Sequence, residues 1–529
     1  VALRVTNLRV GLNDPDSALP ERISQAIGLP VDGFRHRILR KSLDTRDKRD
    51  IHFVYSIEVV PLDAADRPKS RIAGVRVETF VEEPFTLPDP GRKPLVGRPV
   101  VIGSGPGGLA AAYFLAEMGY HPLLLERGRA VTQRIRDVQA FDAGGRFEPT
   151  SNYLFGEGGA GTFSDGKLTC RSTGPDVLRI LELFAECKGK PSILYEHRPH
   201  LGSNRLPAVV KAMRRQIEAL GGEVRFDCPV VDLLINDGVI VGVLTPSGPI
   251  RASAVILAIG HSARDTFAML HRRGVALEQK PFQMGLRVEH PQELVNRVQY
   301  GPASLERQLG NADYSLVAHG TNDVFTFCMC AGGFIIPSVS DEKYFCTNGM
   351  SLSKRDSFFA NSGLVVTVPL SAFEGTDPLA GVRLQERYER VAFEMSGFEY
   401  RCPAQRATDF MNGQVSHSID RCSYPRGLVM AKLDEVVPPI VAEALRNGLP
   451  QMDRRWRGRF LPEAVLVGPE ARGSSPVRLP RHPLTRESSN VAGLFPVGEG
   501  AGYAGGIVSA AVDGLRTAKA VIAKHARPK

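Results

Sequence analysis

The chain has 529 residues, 43% of them hydrophobic and 23% charged, with a formal net charge of +9. That length accommodates about three domains of roughly 150–200 residues, each with a sizeable core, and the composition is that of a soluble globular protein. The longest apolar runs, such as Ala254–Ile259, are far too short to span a membrane, and no basic-plus-apolar leader precedes the first strand, so a cytoplasmic protein is expected rather than a secreted one. The 8 cysteines are scattered, with no CxxC and no metal-type Cys/His spacing. That excludes a structural metal site and fits a reducing compartment.

Residues 1–95 read as a small α/β domain. Leu3–Val10 alternates like a strand, Pro20–Ile27 is helical, and Phe34–Lys41 and Ile51–Val60 are two more strands. The order resembles small ferredoxin-like or ubiquitin-like modules, an analogy that gives no function. A basic run, Arg35–Arg49, is interrupted by acids and lacks interleaved aromatics, so a solvated face is expected rather than a nucleic-acid surface. Pro84–Pro99 reads as a linker.

Val100–Ile102 then reads as a buried strand that runs into Gly103-Ser-Gly105-Pro106-Gly107-Gly108 and a helix over 107–118. His121–Glu126 is the next strand and ends in an acid. This is the dinucleotide-binding pattern of strand, glycine turn, helix, strand and acid. Gly103 permits the tight turn. Gly105 lets a pyrophosphate approach the backbone, and Gly108 lets the helix pack on the strand. The helix N-terminus faces the phosphates, and the Glu126 carboxylate can accept hydrogen bonds from ribose hydroxyls. Helices are expected near 175–187 and 206–220. Strands follow at Glu223–Phe226, Val230–Ile235, Val239–Thr245 and Val255–Ile259. Residues 281–460 are rich in strands such as Gly363–Pro369. There Cys328 and Cys330 would share one strand face as two small residues, and Arg454–Arg459, carrying the only Trp, would be a basic surface turn. Leu494–Val497 is a late strand, followed by a glycine turn with Glu499 and a small-residue helix from about Gly505 to Ala520.

Four long motifs, Phe155–Leu168, Gly260–Thr266, Gly349–Ser357 and Gly498–Ile507, together resemble the bacterial FAD-dependent dehydrogenase family. That family, known as uncharacterised NAD(FAD)-dependent dehydrogenases, is related to flavoproteins with a glutathione-reductase-like FAD fold. The resemblance covers the chain from about 30 to about 520. It implies an α/β fold: a discontinuous Rossmann-like FAD-binding domain of three-layer ββα type, a β-rich substrate domain and the small N-terminal α/β domain. The expected divisions are 1–95, 96–280 (FAD), 281–460 (substrate or cap) and 461–529 (FAD, return).

The resemblance also implies site residues. FAD would contact Gly103, Gly105, Pro106, Gly107, Gly108, Glu126 and Arg127, with Arg134 near its phosphates. Gly159, Ala160, Thr162, Ser164 and Asp165 would flank it, with Val230 presenting backbone to the adenine. Gly260, Gly498, Glu499, Gly505, Gly506 and Ile507 would complete the set. The usual acid of the late segment is Asp; here Glu499 is one methylene longer. N–H groups of the helix after Tyr503 could stabilise charge at the flavin N1–C2=O edge. Lys167 and His261 are the candidate catalytic residues, one as a positive charge beside the ring and one as a proton relay. Arg287, Lys354 and Arg355 are candidates for an anionic substrate, with structural salt bridges the simpler role.

The implied activity is an FAD-dependent oxidoreductase that passes hydride through flavin N5 to or from a small molecule. No second GxGxxG follows a strand, so NAD(P)H, if a transient donor, must dock at the substrate face. A flavin-dependent monooxygenase, an RNA-acting FAD protein and a non-catalytic FAD protein that recruits a partner through residues 1–95 are the competing readings. Nucleic acid is not the expected partner.

Overall fold

The computed structural model describes residues 1–63, 68–305 and 307–528. The N-terminal part contains β1 (Leu3–Gly11), α1 (Leu19–Ile27), β2 (Phe34–Asp44), β3 (His52–Pro61) and β4 (Arg76–Thr79), in an antiparallel sheet of order β2-β3-β1-β4. This is the strand order of a split βαβ, ferredoxin-like sheet. β4 escaped the sequence because Arg76-Val-Glu-Thr is almost wholly exposed. Much of the basic run is paired: Arg37 with Glu58 and Glu82, Arg46 with Asp44, and Arg49 with Asp47.

The second region starts with β5 (Val100–Ile102), α2 (Pro106–Glu117), β6 (Leu123–Leu125), α3 (Val131–Asp142), α4 (Pro175–Glu186), α5 (Leu206–Ala219) and β7 (Glu223–Arg225). An antiparallel meander follows, β8 (Asp232–Asn236), β9 (Val239–Thr245) and β10 (Gly248–Arg251), then β11 (Val255–Leu257) and α6 (Arg264–Arg272). After β12 (Glu278–Gln279) come β13 (Phe282–Pro291), α7 (Gln292–Tyr300), β14 (Val317–Ala318), β15 (Val324–Cys330), β16 (Gly333–Pro337), β17 (Thr347–Ser351) and β18 (Phe359–Val368). The chain closes with α8 (Ala380–Met395), β19 (Cys402–Arg406), α9 (Ala407–Met411), β20 (Leu428–Met430), α10 (Pro439–Arg455), β21 (Val465–Glu470), β22 (Val477–Arg478), β23 (Leu494–Pro496) and α11 (Ile507–Lys524).

β23-β11-β5-β6-β7 form a five-stranded parallel sheet. Alternation in its short apolar strands builds two cores. Val101, Leu124, Ile256 and Phe495 face α2, α5 and α11, while Val100, Ile102, Leu123, Leu125, Val255 and Leu257 face the β8–β10 meander. The result is three layers: helices, parallel sheet, meander. β23 returns from more than 200 residues downstream to the edge beside β11, because its apolar Leu-Phe-Pro continues both cores.

A seven-stranded mixed sheet, β14-β15-β18-β13-β21-β19-β20, carries the largest core. β21 pairs with β13 and β19, so this sheet runs to Glu470, past the expected boundary at 460. The expected shared face for the paired cysteines fails. The β15–β18 register shifts between Phe327 and Cys330, and Cys328 takes a positive φ of 44°. The bulge turns Cys328 outward and leaves Cys330 buried. Among the described residues no helix is long and apolar enough to cross a membrane.

Candidate functional site

The C-terminal ends of β5, β11 and β23 open onto one edge of the parallel sheet, where ligands bind in such sheets. Gly103 sits at φ 97°, which only glycine adopts without strain. A Cβ on Gly108 would lie 1.9 Å from the Gly103 carbonyl oxygen, so α2 can pack this closely only with glycine there. A Cβ on Gly105 would meet no heavy atom within 4 Å. The chain is therefore tight where helix meets strand and open where a phosphate would lie.

α2 and α11 cross backbone to backbone, with a Cβ on Gly514 falling 2.0 Å from the Gly107 carbonyl oxygen. Pro106 occupies the first turn of α2 with Gly105 as its N-cap, and Gly506 is the N-cap of α11 just before Ile507. Neither helix has a side-chain cap. Both thus offer free N–H groups and a positive dipole end. Gly260 and Gly505 are open like Gly105, with nothing within 4 Å of a Cβ. The loop carrying Gly159–Asp165 lies across both turns. A Cβ on Gly159 would come 3.1 Å from the Gly105 Cα, and one on Gly161 3.0 Å from the Ile507 side chain. Ala160 and Thr162 form the short helical turn between these glycines and Phe163.

Glu126 is buried and ties the turn together. Its Oε2 accepts from the Ser104 N–H at 2.8 Å and hydroxyl at 2.7 Å, and its Oε1 accepts from the Gly128 N–H at 2.8 Å. Arg127 donates to Asp265 and Thr266 and lies 4.9 Å from the Phe155 ring centroid. Arg134 is fully buried and donates to the carbonyls of Asn152, Gly156, Glu157 and Gly159. Its Nη2 has no partner. Burial pulls its pKa to about 9, which leaves it charged at neutral pH. Val230 is half-buried on the meander side.

The late turn has its own brace. Asp513 on α11 accepts from the Gly498 N–H at 2.8 Å and pairs with Arg481 and Arg486. Glu499 is half-buried, and among the described residues no hydrogen bond or ion pair reaches its carboxylate. Burial pushes its pKa up to about 7 against the pull of Lys280. A folded-state pKa above the ordinary 4.5 means that the folded chain holds this proton more tightly. Flavin-free protein should therefore lose stability as pH rises through 7, and Glu499→Gln should flatten that part of a melting-temperature profile taken between about pH 5 and 8. An unchanged slope would mean that Glu499 is not the group titrating.

The two candidate catalytic residues sit in separate charged groups. His261 accepts from or donates to the Ser262 hydroxyl at 2.8 Å. Burial, then the charges of Arg472 and Arg264, lowers its pKa to about 4, so the imidazole is neutral. Lys167 donates to the Met329 carbonyl and lies 3.4 Å from Asp165. Ser164 donates to the Gly161 carbonyl at 2.8 Å and accepts from the Gly166 N–H at 3.2 Å. Cys328 is exposed, yet surrounding protein pushes its thiol up to about 12. Arg287 is committed elsewhere: it is fully buried and paired in bidentate fashion with Glu470 at 2.6 and 2.7 Å.

The sequence did not single out Ser104, Asp513, His200 or Ser351. A lone Asp on the buried, small-residue face of α11 was the available signal for Asp513. The others depend on contacts distant along the chain.

Residues 281–473 match a family described as "FAD-dependent protein, C-terminal domain-like", 199–315 match "FAD dependent oxidoreductase", and 101–160 match "NAD(P)-binding Rossmann-like domain". Residues 2–60 match a domain of unknown function. An uncharacterised protein of Clostridium beijerinckii is 39% identical over 538 aligned residues, spanning 100% of both chains. Similar solved structures include CtdE in complex with FAD (11% identity, 80% of this chain and 87% of that one, TM-score 0.34). Glycine oxidase from Bacillus cereus is another (12%, 80% and 95%, TM-score 0.31). The chain belongs to the same family as the Clostridium protein and is an FAD-dependent oxidoreductase.

Proposed function

We propose that FAD lies along the open edge of the parallel sheet and that a small-molecule substrate meets it where the Gly159–Lys167 loop faces the seven-stranded sheet. Residues 96–280, rejoined by the chain after about 473, then form the cofactor domain, and residues 281 to about 473 the substrate domain. Bound FAD supplies the group that accepts or gives hydride, through its N5. The N–H groups at the start of α2, freed by the open Gly105, hold the pyrophosphate. Glu126 accepts from a ribose hydroxyl while bracing the turn, and the unpartnered Nη2 of Arg134 lies behind the loop that covers it. Glu499 accepts from a hydroxyl of the ribityl chain. The N–H groups of Gly505, Gly506 and Ile507 favour negative charge at the ring edge. Lys167 adds a positive charge, and the neutral His261 can take up a proton.

The observation that carries this reading is the conjunction of an open Gly105 at the uncapped start of α2 with a Glu499 carboxylate that, among the described residues, no hydrogen bond or ion pair reaches. An anaerobic titration with NADPH, NADH and then small organic donors, following the flavin's visible band, tests it. Bleaching by any one of them is expected. Persistence through all of them, while dithionite still bleaches the band, would make the flavin structural.

A further inference from the structure

The Gly159–Lys167 loop ends in a charged cluster that the cofactor does not account for. Asp165 is buried. It accepts from the Ser351 hydroxyl at 2.5 Å and faces Lys167 and Arg355, each 3.4 Å from its Oδ2. Burial opposes its charge, but the Lys167 and Arg355 charges outweigh burial and hold its pKa below the ordinary range. His200 donates from Nε2 to the Ser351 oxygen at 3.0 Å, since the Ser351 hydroxyl proton is given to Asp165. Burial and then Arg355 lower the His200 pKa to about 4, so it adds no charge. Two cations share one carboxylate, which leaves the cluster one positive charge in excess.

The cations are also under-used. Arg355 makes one long contact with Asp165, and its Nε is buried with no partner. A buried guanidinium N–H without an acceptor is costly. Lys167 donates to the Met329 carbonyl and reaches Asp165, which leaves its remaining N–H free. Both side chains keep some exposure, 27% for Lys167 and 19% for Arg355. Arg287 cannot serve here, because Glu470 and Asn361 hold it.

We infer that Lys167 and Arg355, set on either side of Asp165, bind the carboxylate of the substrate, so that this oxidoreductase acts on a small organic acid. One excess charge matches a carboxylate better than a dianionic phosphate, and the planar guanidinium suits a carboxylate's two oxygens. Asp165 is the positioning residue that draws the two cations to one oxygen, Oδ2. The inference rests on the substrate placement proposed above.

Calorimetric titration of the FAD-loaded protein with benzoate and pyruvate tests it, with inorganic phosphate as the control anion. Saturable binding of at least one carboxylate is expected. The double variant Lys167→Met with Arg355→Met should weaken it roughly 10- to 100-fold at unchanged FAD content, with a lower melting temperature because the buried Asp165 loses both partners. Lys167→Arg should retain most of it. Three results would overturn the inference: neither carboxylate binds, phosphate alone binds, or the double variant binds carboxylate as tightly as the parent. Should the double variant fold poorly, Arg355→Met alone must still lose at least part of the affinity. A protein that takes up no FAD would instead overturn the cofactor reading, and this inference with it.

Discussion

Replacing Gly105 with valine should leave a folded protein that carries no FAD. Gly105 has φ −67° and ψ 177°, an extended conformation that any residue adopts, and a Cβ there meets nothing within 4 Å. The fold therefore has no stake in this glycine; the cofactor does, because the new side chain fills the space in front of the free N–H groups of α2. Gly108→Val should do the opposite. Its Cβ would fall 1.9 Å from the Gly103 carbonyl oxygen, so α2 must leave β5 and the core between them. Overpacking of this kind costs about 1–3 kcal/mol or more. Melting temperature and flavin absorbance measured together separate the two. Gly105→Val protein with stoichiometric FAD would show that the pyrophosphate lies elsewhere.

Glu389→Gln should cost more stability than most other single substitutions in the chain. Glu389 is completely buried on α8. It accepts from Arg472 at 2.8 and 2.6 Å and from Arg264, at the start of α6, at 2.8 Å. Burial opposes its charge, and the two guanidiniums more than offset that, holding its pKa low. Asp341 stands further off, at 3.5 and 3.8 Å. Glutamine leaves two buried cations with Asp341 and, 4.0 Å from Arg264, Glu386 as their remaining distant acids, a situation worth about 3–5 kcal/mol. The same three residues join the parallel-sheet region to the seven-stranded one next to His261, so docking of the two should loosen too. Denaturant unfolding checks the figure. A loss below about 1 kcal/mol would mean that the arginines find water or another acid, as exposed pairs do.

The dinucleotide turn was legible because its logic is local: strand, glycines, helix and acid lie within 27 consecutive residues, 100–126. The buried strands were legible because they are short apolar runs bounded by turn residues, whereas their three-layer arrangement was implied only by the family resemblance. α3 was missed. Arg134 faces inward from it and interrupts the apolar stripe that would have marked a helix. The bulge at Cys328 was invisible too, since one extra residue reverses a face without changing composition. The substrate sheet was harder still. Arg287 finds Glu470 from 183 residues away, and Asp165, His200, Ser351 and Arg355 meet only after two sheets have docked. Periodicity reports which face of an element is apolar; it carries no information on which distant polar groups will share a recess.

The central claim is that the Gly103–Gly108 turn and the Glu499 turn hold FAD. Its most direct test is to heat-denature the purified protein, identify the released cofactor by chromatography and count it against protein. The account predicts FAD, about one per chain, and none from Gly105→Val. Release of FMN, or no flavin even after incubation with excess FAD, would contradict it.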